Sequence, residues 1–318
     1  MTLINALIIL IVILAISVLT LVTPLLLLVA LLTKIFGCLV CTSPKTVVGD
    51  VAVVTGAGHG LGRAIAIELA KIGCHIAAVD INIEGAEETV KKINKISTVK
   101  AKAYKVNVTN FTEISNLGVN VTRDLGPVTI LINNAGILML RNALDPAPED
   151  VQRMIDVNMT SHFWTKAAFL PTMKKLRKGH IVTISSAAGL LPLPYNSTYT
   201  ASKFGATGHM KALRMELMME KQHNIHVCIV MPMFLKTNNE IKEIANTVGL
   251  NRFYPLISGE WAARRIVKGM LSGEREIKMP LLVDVLCRNL SVLPIAWQER
   301  FFVLFSGKLF RKFCEIRA

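Results

Sequence analysis

Residues 50–73 read DVAVVTGAGHGLGRAIAIELAKIG. The run Asp50–Thr55 is short and rich in β-branched residues, which suits a strand covered on both faces. RAIAIELAKIG places apolar residues at helical spacing and stops at Gly73. Between them lies a glycine-rich loop, and its position between strand and helix gives it a mechanism. Glycines let the backbone turn sharply and approach a pyrophosphate, while the helix start offers free N–H groups to its charge. The spacing predicts a nucleotide site built on Gly56, Gly60, Leu61 and Gly62. His59 reads as a variable loop position rather than a base. Asp80 falls 18 residues after Gly62, at the end of the next strand-like run. A carboxylate there is placed to accept from a ribose 2′-OH and to repel a 2′-phosphate, which favours NAD and leaves NADP as the alternative. The competing reading of Asp80 is a turn or helix-capping residue.

Working outward, the alternation continues. His75–Val79 reads as a strand, 84–96 as a helix, 100–106 as a strand, 110–124 as a helix and 128–132 as a strand. A long helix over about 150–177, a strand over 180–185, a helix over 198–221 and a strand over 225–230 follow. Strands with few polar positions alternating with helices predict a single α/β domain. Its expected form is a doubly wound Rossmann-type parallel sheet with helices on both faces. The domain is expected over 49–280, after a linker at 34–48.

The 318-residue chain has a net charge of +14 and is 52% hydrophobic and 18% charged, which argues against disorder. Residues 1–33 contain no charged side chain. As a straight helix, about 30 residues reach ~45 Å, more than the ~30 Å hydrocarbon core, and Pro24 offers a break. The run is too long for a secretory signal. It predicts an uncleaved N-terminal membrane helix, and Lys34 and Lys45 on its C-terminal flank put the body on the cytosolic side. Lys and Arg are scattered without interleaved aromatics, so nucleic acid is excluded as a partner and membrane lipid is expected. Six cysteines are too few and too spread for a disulfide scaffold, and Cys38 and Cys41 lack a second pair, so no metal site is expected.

The loop has the form T-G-x-x-x-G-x-G (Thr55, Gly56, Gly60, Gly62). Asn133-Asn134-Ala135-Gly136 follows the fourth strand, then come Asn158, Ser186, the run Tyr199-Thr-Ala-Ser-Lys203, Pro232 and Thr237. In this order the motifs resemble the short-chain dehydrogenase/reductase family over roughly residues 48–280. HFWTKAAFLPTM (162–173) and GHIVTISSAAG (179–189), with the apolar N-terminus, resemble its membrane-associated branch of retinol and 17β-hydroxysteroid dehydrogenases. That branch acts on retinoids, steroids and other lipid alcohols at the endoplasmic reticulum or lipid droplets.

Tyr199 and Lys203 are four apart on a helix and share a face. A phenol near pKa 10 is a poor base at neutral pH, and an ammonium beside it, with the positive nicotinamide of oxidised cofactor, is expected to lower that value. The resemblance implies that Tyr199 exchanges the alcohol proton and Lys203 holds the nicotinamide ribose. It also implies that Ser186 orients the substrate oxygen, with Ser185 as the rival one residue away. Asn158 would complete a relay toward Lys203. Asn134, Ala135 and Gly136 would flank the adenosine side, with Pro232 and Thr237 at the nicotinamide side. Asn107 stands where many relatives have Asp, which alters the expected adenine contact. Met233 stands where many have Gly, which puts the shape of that loop in question.

Leu190, Leu191, Leu193, Met233, Phe234 and Leu235 are expected to wall an apolar pocket for a lipophilic substrate. Residues 281–318 are apolar and basic. Trp297, Phe301, Phe305, Leu309 and Phe313 recur every fourth residue, as on an interfacial helix or one packed on the body. The expected activity is NAD-dependent oxidation of a lipophilic alcohol to a ketone or aldehyde. An NADPH-dependent reductase of lipid ketones and a non-catalytic membrane scaffold remain the alternatives. The resemblance also implies a homodimer paired through helices such as 198–221.

Overall fold

The computed structural model describes residues 46–139, 147–192, 194, 196–233, 235–236, 256–280, 294–300 and 303–304. The expected anchor at 1–33 and most of the linker lie outside them. Among the described residues, no helix is long and apolar enough to cross a membrane.

From the glycine loop onward the chain alternates as its periodicity predicts. The elements are β1 (Val51–Thr55), α1 (Gly60–Lys71), β2 (His75–Asp80), α2 (Ile83–Asn94), β3 (Ala101–Lys105), α3 (Phe111–Asp124) and β4 (Val128–Asn133). Next come α4 (Pro148–Ile155), a π-helical turn (Asp156–Thr160), α5 (Ser161–Leu176), β5 (Gly179–Ile184), α6 (Ser197–Met219) and β6 (Ile225–Pro232). The short pair β7 (Leu235–Lys236) and β8 (Ile257–Ser258), then α7 (Gly259–Leu271) and β9 (Glu276–Met279), complete it. Seven strands form one parallel sheet in the order β3-β2-β1-β4-β5-β6-β9. This is the expected doubly wound arrangement.

Alternation within each strand sends side chains to two cores. Ala52 and Val54 of β1 face α1, α2 and α7, packing with Ile65, Leu69, Ile93 and Ile266. Val51 and Val53 face α3, α5 and α6, packing with Ile114, Phe169, Met173 and Leu213. Both faces of β1 are therefore apolar, which is why its sequence has no polar alternation. Asn82, Asn110, Asn196 and Ser258 cap α2, α3, α6 and α7, each accepting from an N–H of the first turn.

Three features differ from the sequence expectation. The helix expected over about 150–177 is interrupted by the π-helical turn around Asn158. Such insertions mark places where the side-chain register is shifted for a local purpose. Here Asn158 clasps the loop after β4, accepting from Ile137 N–H at 2.8 Å and donating to its carbonyl at 2.9 Å. Second, β9 forms a seventh strand; its four residues EIKM are too short to carry a period-2 signal. Third, β5 ends at Ile184, so Ser186 follows the strand by two residues and caps a 3₁₀ turn at Ala187–Gly189. Val47 is buried in the first core, so the domain begins about two residues before the expected boundary. Of the C-terminal stripe only Trp297 is described, and it is exposed; Phe301, Phe305, Leu309 and Phe313 lie outside.

Phe169 is among the largest fully buried side chains. Phe169→Ala should cost about 3–5 kcal/mol, read as a lower thermal midpoint, with substrate KM unchanged because the residue lies in the core rather than on the cleft.

Candidate active site

All seven strands point the same way, so the loops that leave their C-terminal ends gather at one edge. Every site residue expected from the sequence except two borders one cavity there, of about 730 Å³. Asn158 lies fully buried behind it, and Thr237 falls outside the described residues.

The glycine loop is built by close approach. Gly56 has φ +65°, and a Cβ there would sit 2.9 Å from Ala135 Cα, so neither the turn nor the contact admits a side chain. The loop is clasped to the segment after β4. Thr55 Oγ1 accepts from Asn134 N–H at 3.0 Å and Ala135 N–H at 3.1 Å. Asn134 Nδ2 donates to the Thr55 and Gly56 carbonyls at 3.0 and 3.1 Å. Arg63 fastens the other side, donating to the Gly58 carbonyl, to Thr89 and to Glu88. Unlike α2, α3, α6 and α7, helix α1 has no side-chain cap: His59 occupies its N-cap without such a bond. Its first N–H groups therefore keep donor capacity at the cavity, which fits an anionic pyrophosphate. Glycines for close approach, free donors and the Asp80 carboxylate together fit a dinucleotide.

Asp80 borders the cavity but also serves its own turn. Oδ2 accepts from Gly58 N–H at 2.7 Å and Oδ1 from Asn82 N–H at 2.9 Å. The turn role is real, and each carboxylate oxygen retains further acceptor capacity. Asn107 Oδ1 is occupied by the N–H and hydroxyl of Thr109, at 3.1 and 2.9 Å. No hydrogen bond from its amide Nδ2 is among those described.

At the far end of the cavity stand Ser186, Tyr199 and Lys203. The Ser186 hydroxyl hydrogen-bonds the Tyr199 side chain. Ser185 is fully buried, and its hydroxyl donates to the Lys203 carbonyl at 3.1 Å beside Thr207 Oγ1 at 2.9 Å. Ser185 thus ties β5 to α6, while Ser186 faces the phenol. Lys203 Nζ lies 5.6 Å from the Tyr199 ring centroid and donates to the Ile184 carbonyl at 3.1 Å. A methyl group at Gly136 would sit 3.2 Å from Asn158 Oδ1 and 3.4 Å from Lys203 Nζ, so both polar ends converge on that glycine. Asn158 itself bonds Ile137 and donates to Ser202 Oγ at 3.1 Å.

For the protein side chains alone, burial outweighs any lowering of the Tyr199 pKa by Lys203. Enclosure of the phenol raises it above its ordinary value of 10, and the Ser186 hydrogen bond only partly offsets that. Lys203 is itself 4% exposed, and burial drives its ammonium down to about 8. A buried lysine turned onto a backbone carbonyl contributes little to a phenolate.

Of the apolar wall expected from the sequence, Met233 and Leu235 border the cavity, and Leu190 packs against the second core. Leu191 is described but does not border it; Leu193 and Phe234 fall outside the described residues. Ile137, Leu138, Arg153, Val157 and Ile184 also border it, and sequence reasoning missed them. Three of these, Ile137, Leu138 and Val157, flank Asn134–Gly136 or Asn158, so proximity to those motifs was the usable signal.

Comparison with known proteins agrees with this geometry. A family model described as short chain dehydrogenase matches residues 50–247. The chain is 36% identical over 251 residues to epidermal retinol dehydrogenase 2 of Homo sapiens, spanning 79% of this chain and 80% of that protein. It is 34% identical over 269 residues to estradiol 17-beta-dehydrogenase 11 of Homo sapiens, spanning 85% and 86%. Among solved structures, a short chain dehydrogenase from Mycobacterium paratuberculosis bound to NAD superposes with a TM-score of 0.65 at 28% identity. The match covers 74% of this chain and 97% of that one.

Lys203 allows a test of the buried charge. Below pH 8 both the folded and unfolded chains carry the ammonium, and folding bears its full burial cost. Between about 8 and 10.5 only the unfolded chain holds the proton, so wild-type stability rises with pH. At pH 7, Lys203→Met should therefore melt no lower than wild type. The stability difference should shift toward wild type as pH rises through that window, as thermal melts of the two proteins will report.

Proposed function

The chain belongs to the short-chain dehydrogenase family, and from that premise we propose that it is an NAD-dependent dehydrogenase of lipophilic alcohols. The observation that carries this reading is the joining of Tyr199, Ser186 and Lys203 to the glycine loop in one cavity with aliphatic side chains in its wall. Retinol, a steroid or a long-chain alcohol suits such a wall better than a sugar does. The relatives named for retinol and estradiol support the same substrate class.

In this proposal Ser186 donates to the substrate oxygen and fixes it beside the Tyr199 hydroxyl. Tyr199 takes the carbinol proton during oxidation and returns it during reduction. Lys203 holds the nicotinamide ribose from the face of α6 that it shares with Tyr199. Asn158 keeps the loop after β4 against the cavity and links Lys203, through water, to the interior of α6. Gly56, Gly60, Leu61 and Gly62 receive the pyrophosphate, Asp80 the adenosine ribose, and Asn107, Asn134, Ala135 and Gly136 flank the adenosine side. Pro232 and Thr237 close the nicotinamide side. NAD, when bound, supplies the acceptor for the hydride that leaves the carbinol carbon.

A lipid-ketone reductase restricted to NADPH would need a cation for the 2′-phosphate at the end of β2. Asp80 is followed there by exposed Ile81 and by Asn82. Occupied catalytic positions likewise speak against a purely structural role. The apolar residues 1–33 support anchoring in the endoplasmic reticulum or lipid-droplet membrane with the dehydrogenase domain in the cytosol. Exposed Phe204 and Met215 on α6 suit pairing with a second copy.

The test is turnover of retinol, steroid and long-chain alcohols with NAD or NADP on membranes carrying the full chain. Activity with NAD supports the reading, and activity confined to NADP overturns it. Tyr199→Phe should lower kcat by at least about 10²-fold, the range for a positioned acid–base group. Ser186→Ala should lower kcat in the same direction, whereas Ser185→Ala should chiefly lower the melting temperature; the reverse pattern would exchange the two serines. Asp80→Ser should raise the KM for NAD and narrow the gap between NAD and NADP.

A further inference from the structure

The edge of the sheet opposite the cleft has a composition that neither the fold nor the chemistry requires. Because the strands are parallel, every helix-to-strand return, and the point where the chain enters β1, lie at the N-terminal edge. Hydrogen bonds and ion pairs knit these segments together. Gly49 N–H donates to the Gly73 carbonyl at 2.8 Å and Gly179 N–H to the Asn224 carbonyl at 3.3 Å, while Lys178 meets Asp50 at 2.7 Å and Lys174 meets Glu220.

The segments 46–50, 71–75, 91–102, 123–128, 174–179, 219–225 and 268–276 carry fourteen Lys and Arg against five Asp and Glu. At the cleft edge, the described residues 56–61, 80–84, 106–113, 134–139, 147–151, 185–192, 196–199, 233, 235–236 and 256–259 carry one against five. Among the described residues, the basic excess therefore lies at the edge away from the active site.

Helix C-termini favour cations, and that accounts for Lys71, Lys92, Arg123 and Lys268 in the last turns or near them. Lys95 and Arg177 at the C-caps of α2 and α5, and Lys221 just past that of α6, extend the pattern; it does not account for Lys100, and none of these four pairs with a carboxylate among the described residues. Nor does it account for the aliphatic side chains set among them. Val48 is 73% and Met219 83% exposed, and Ile96, Leu176 and Met218 also face solvent. Nucleic acid would call for aromatic side chains to stack on bases, and the exposed apolar groups at this edge are aliphatic. Cations interspersed with exposed aliphatic groups match an anionic headgroup layer and the acyl chains just beneath it.

We propose that the strand-N-terminal edge of the sheet is the face that rests on anionic membrane lipid, leaving the cofactor cleft at the opposite, solvent-side edge. The inference rests on the membrane-anchor reading and adds an orientation to it. Covalent connection agrees, since the apolar residues 1–33 reach the domain through Thr46–Val48, at this same edge. Each cation near an anionic surface adds to the attraction, and a handful of unpaired Lys and Arg is enough to bias orientation.

The test uses the full chain in phosphatidylcholine vesicles with or without phosphatidylserine. Cys38, Cys41, Cys287 and Cys314 are replaced by Ser, and a fluorophore is attached at Met219→Cys, Ile81→Cys or Trp297→Cys. Headgroup-bound quencher lipids then report proximity. The expected result is quenching at Met219 several-fold stronger than at Ile81, dependent on phosphatidylserine and weakened by salt. A triple variant, Lys175→Glu, Arg177→Glu, Lys221→Glu, should lose that difference while keeping NAD-dependent turnover. Equal quenching at Met219 and Ile81, or stronger quenching at Trp297 than at Met219, overturns the orientation and leaves the anchor standing. Failure of the full chain to float with vesicles overturns both. A short RNA that binds this edge while vesicles leave Met219 unquenched overturns the lipid assignment.

Discussion

Parallel strand direction is the constraint on which the rest of this molecule depends. A parallel pair cannot be closed by a tight turn, so each connection crosses outside the sheet, usually as a helix, and returns to the starting edge. The seven-stranded sheet repeats that crossing, with helices deposited on both faces. One consequence is chemical: all strand-to-helix loops emerge together, and residues as distant in sequence as Gly56, Asn134, Ser186 and Pro232 border one cavity. A second consequence is electrostatic: helix C-termini and their cations collect at the other edge. The two ends of the domain differ because they inherit opposite ends of every element.

How much of this could be read beforehand depends on the range of the interaction responsible. The glycine loop is legible because its meaning lies in a local change from strand to helix around residues with no side chain. Tyr199 and Lys203 are legible because four residues bring them to one face of a helix. The cavity wall is different. Ile137, Val157 and Ile184 come from separate elements, joined through the Asn158–Ile137 clasp and the β4–β5 pairing, and no periodicity connects them. The π-helical turn escaped for the same reason, because its compensation is a bond to a residue 21 positions earlier. β9 is too short to stand out, and its pairing with β6 supplies what its own sequence does not.

The balance at Tyr199 shows where motif logic and physical chemistry part. Spacing places an ammonium near a phenol, and proximity alone suggests a lowered pKa. Burial acts on both groups at once, raising the phenol and depressing the ammonium. Burial thus keeps the phenol protonated and weakens the hold of Lys203 on its proton, although below about pH 8 the ammonium stays charged. Such a site holds a proton until a further positive charge enters the same enclosed volume, and burial makes the effect of that charge large. The approach of Lys203 to the Ile184 carbonyl, and of both Lys203 and Asn158 to Gly136, holds this arrangement in place.

Separation of the two edges also makes them independent. Strands of five or six residues at ~3.3 Å per residue place the edges roughly 20 Å apart, more than twice the ~8 Å screening length at physiological ionic strength. Cations at one edge therefore do little to the Asp80 carboxylate or the Tyr199 phenol at the other. Charge at the helix-to-strand returns can change, and with it the attraction to a surface, while the cavity keeps its preference among cofactors. Were the basic segments beside the cleft instead, they would blunt any repulsion between the Asp80 carboxylate and a 2′-phosphate. Distance along the strands is what lets one small domain carry a strongly basic edge without disturbing the carboxylate and phenol at the other.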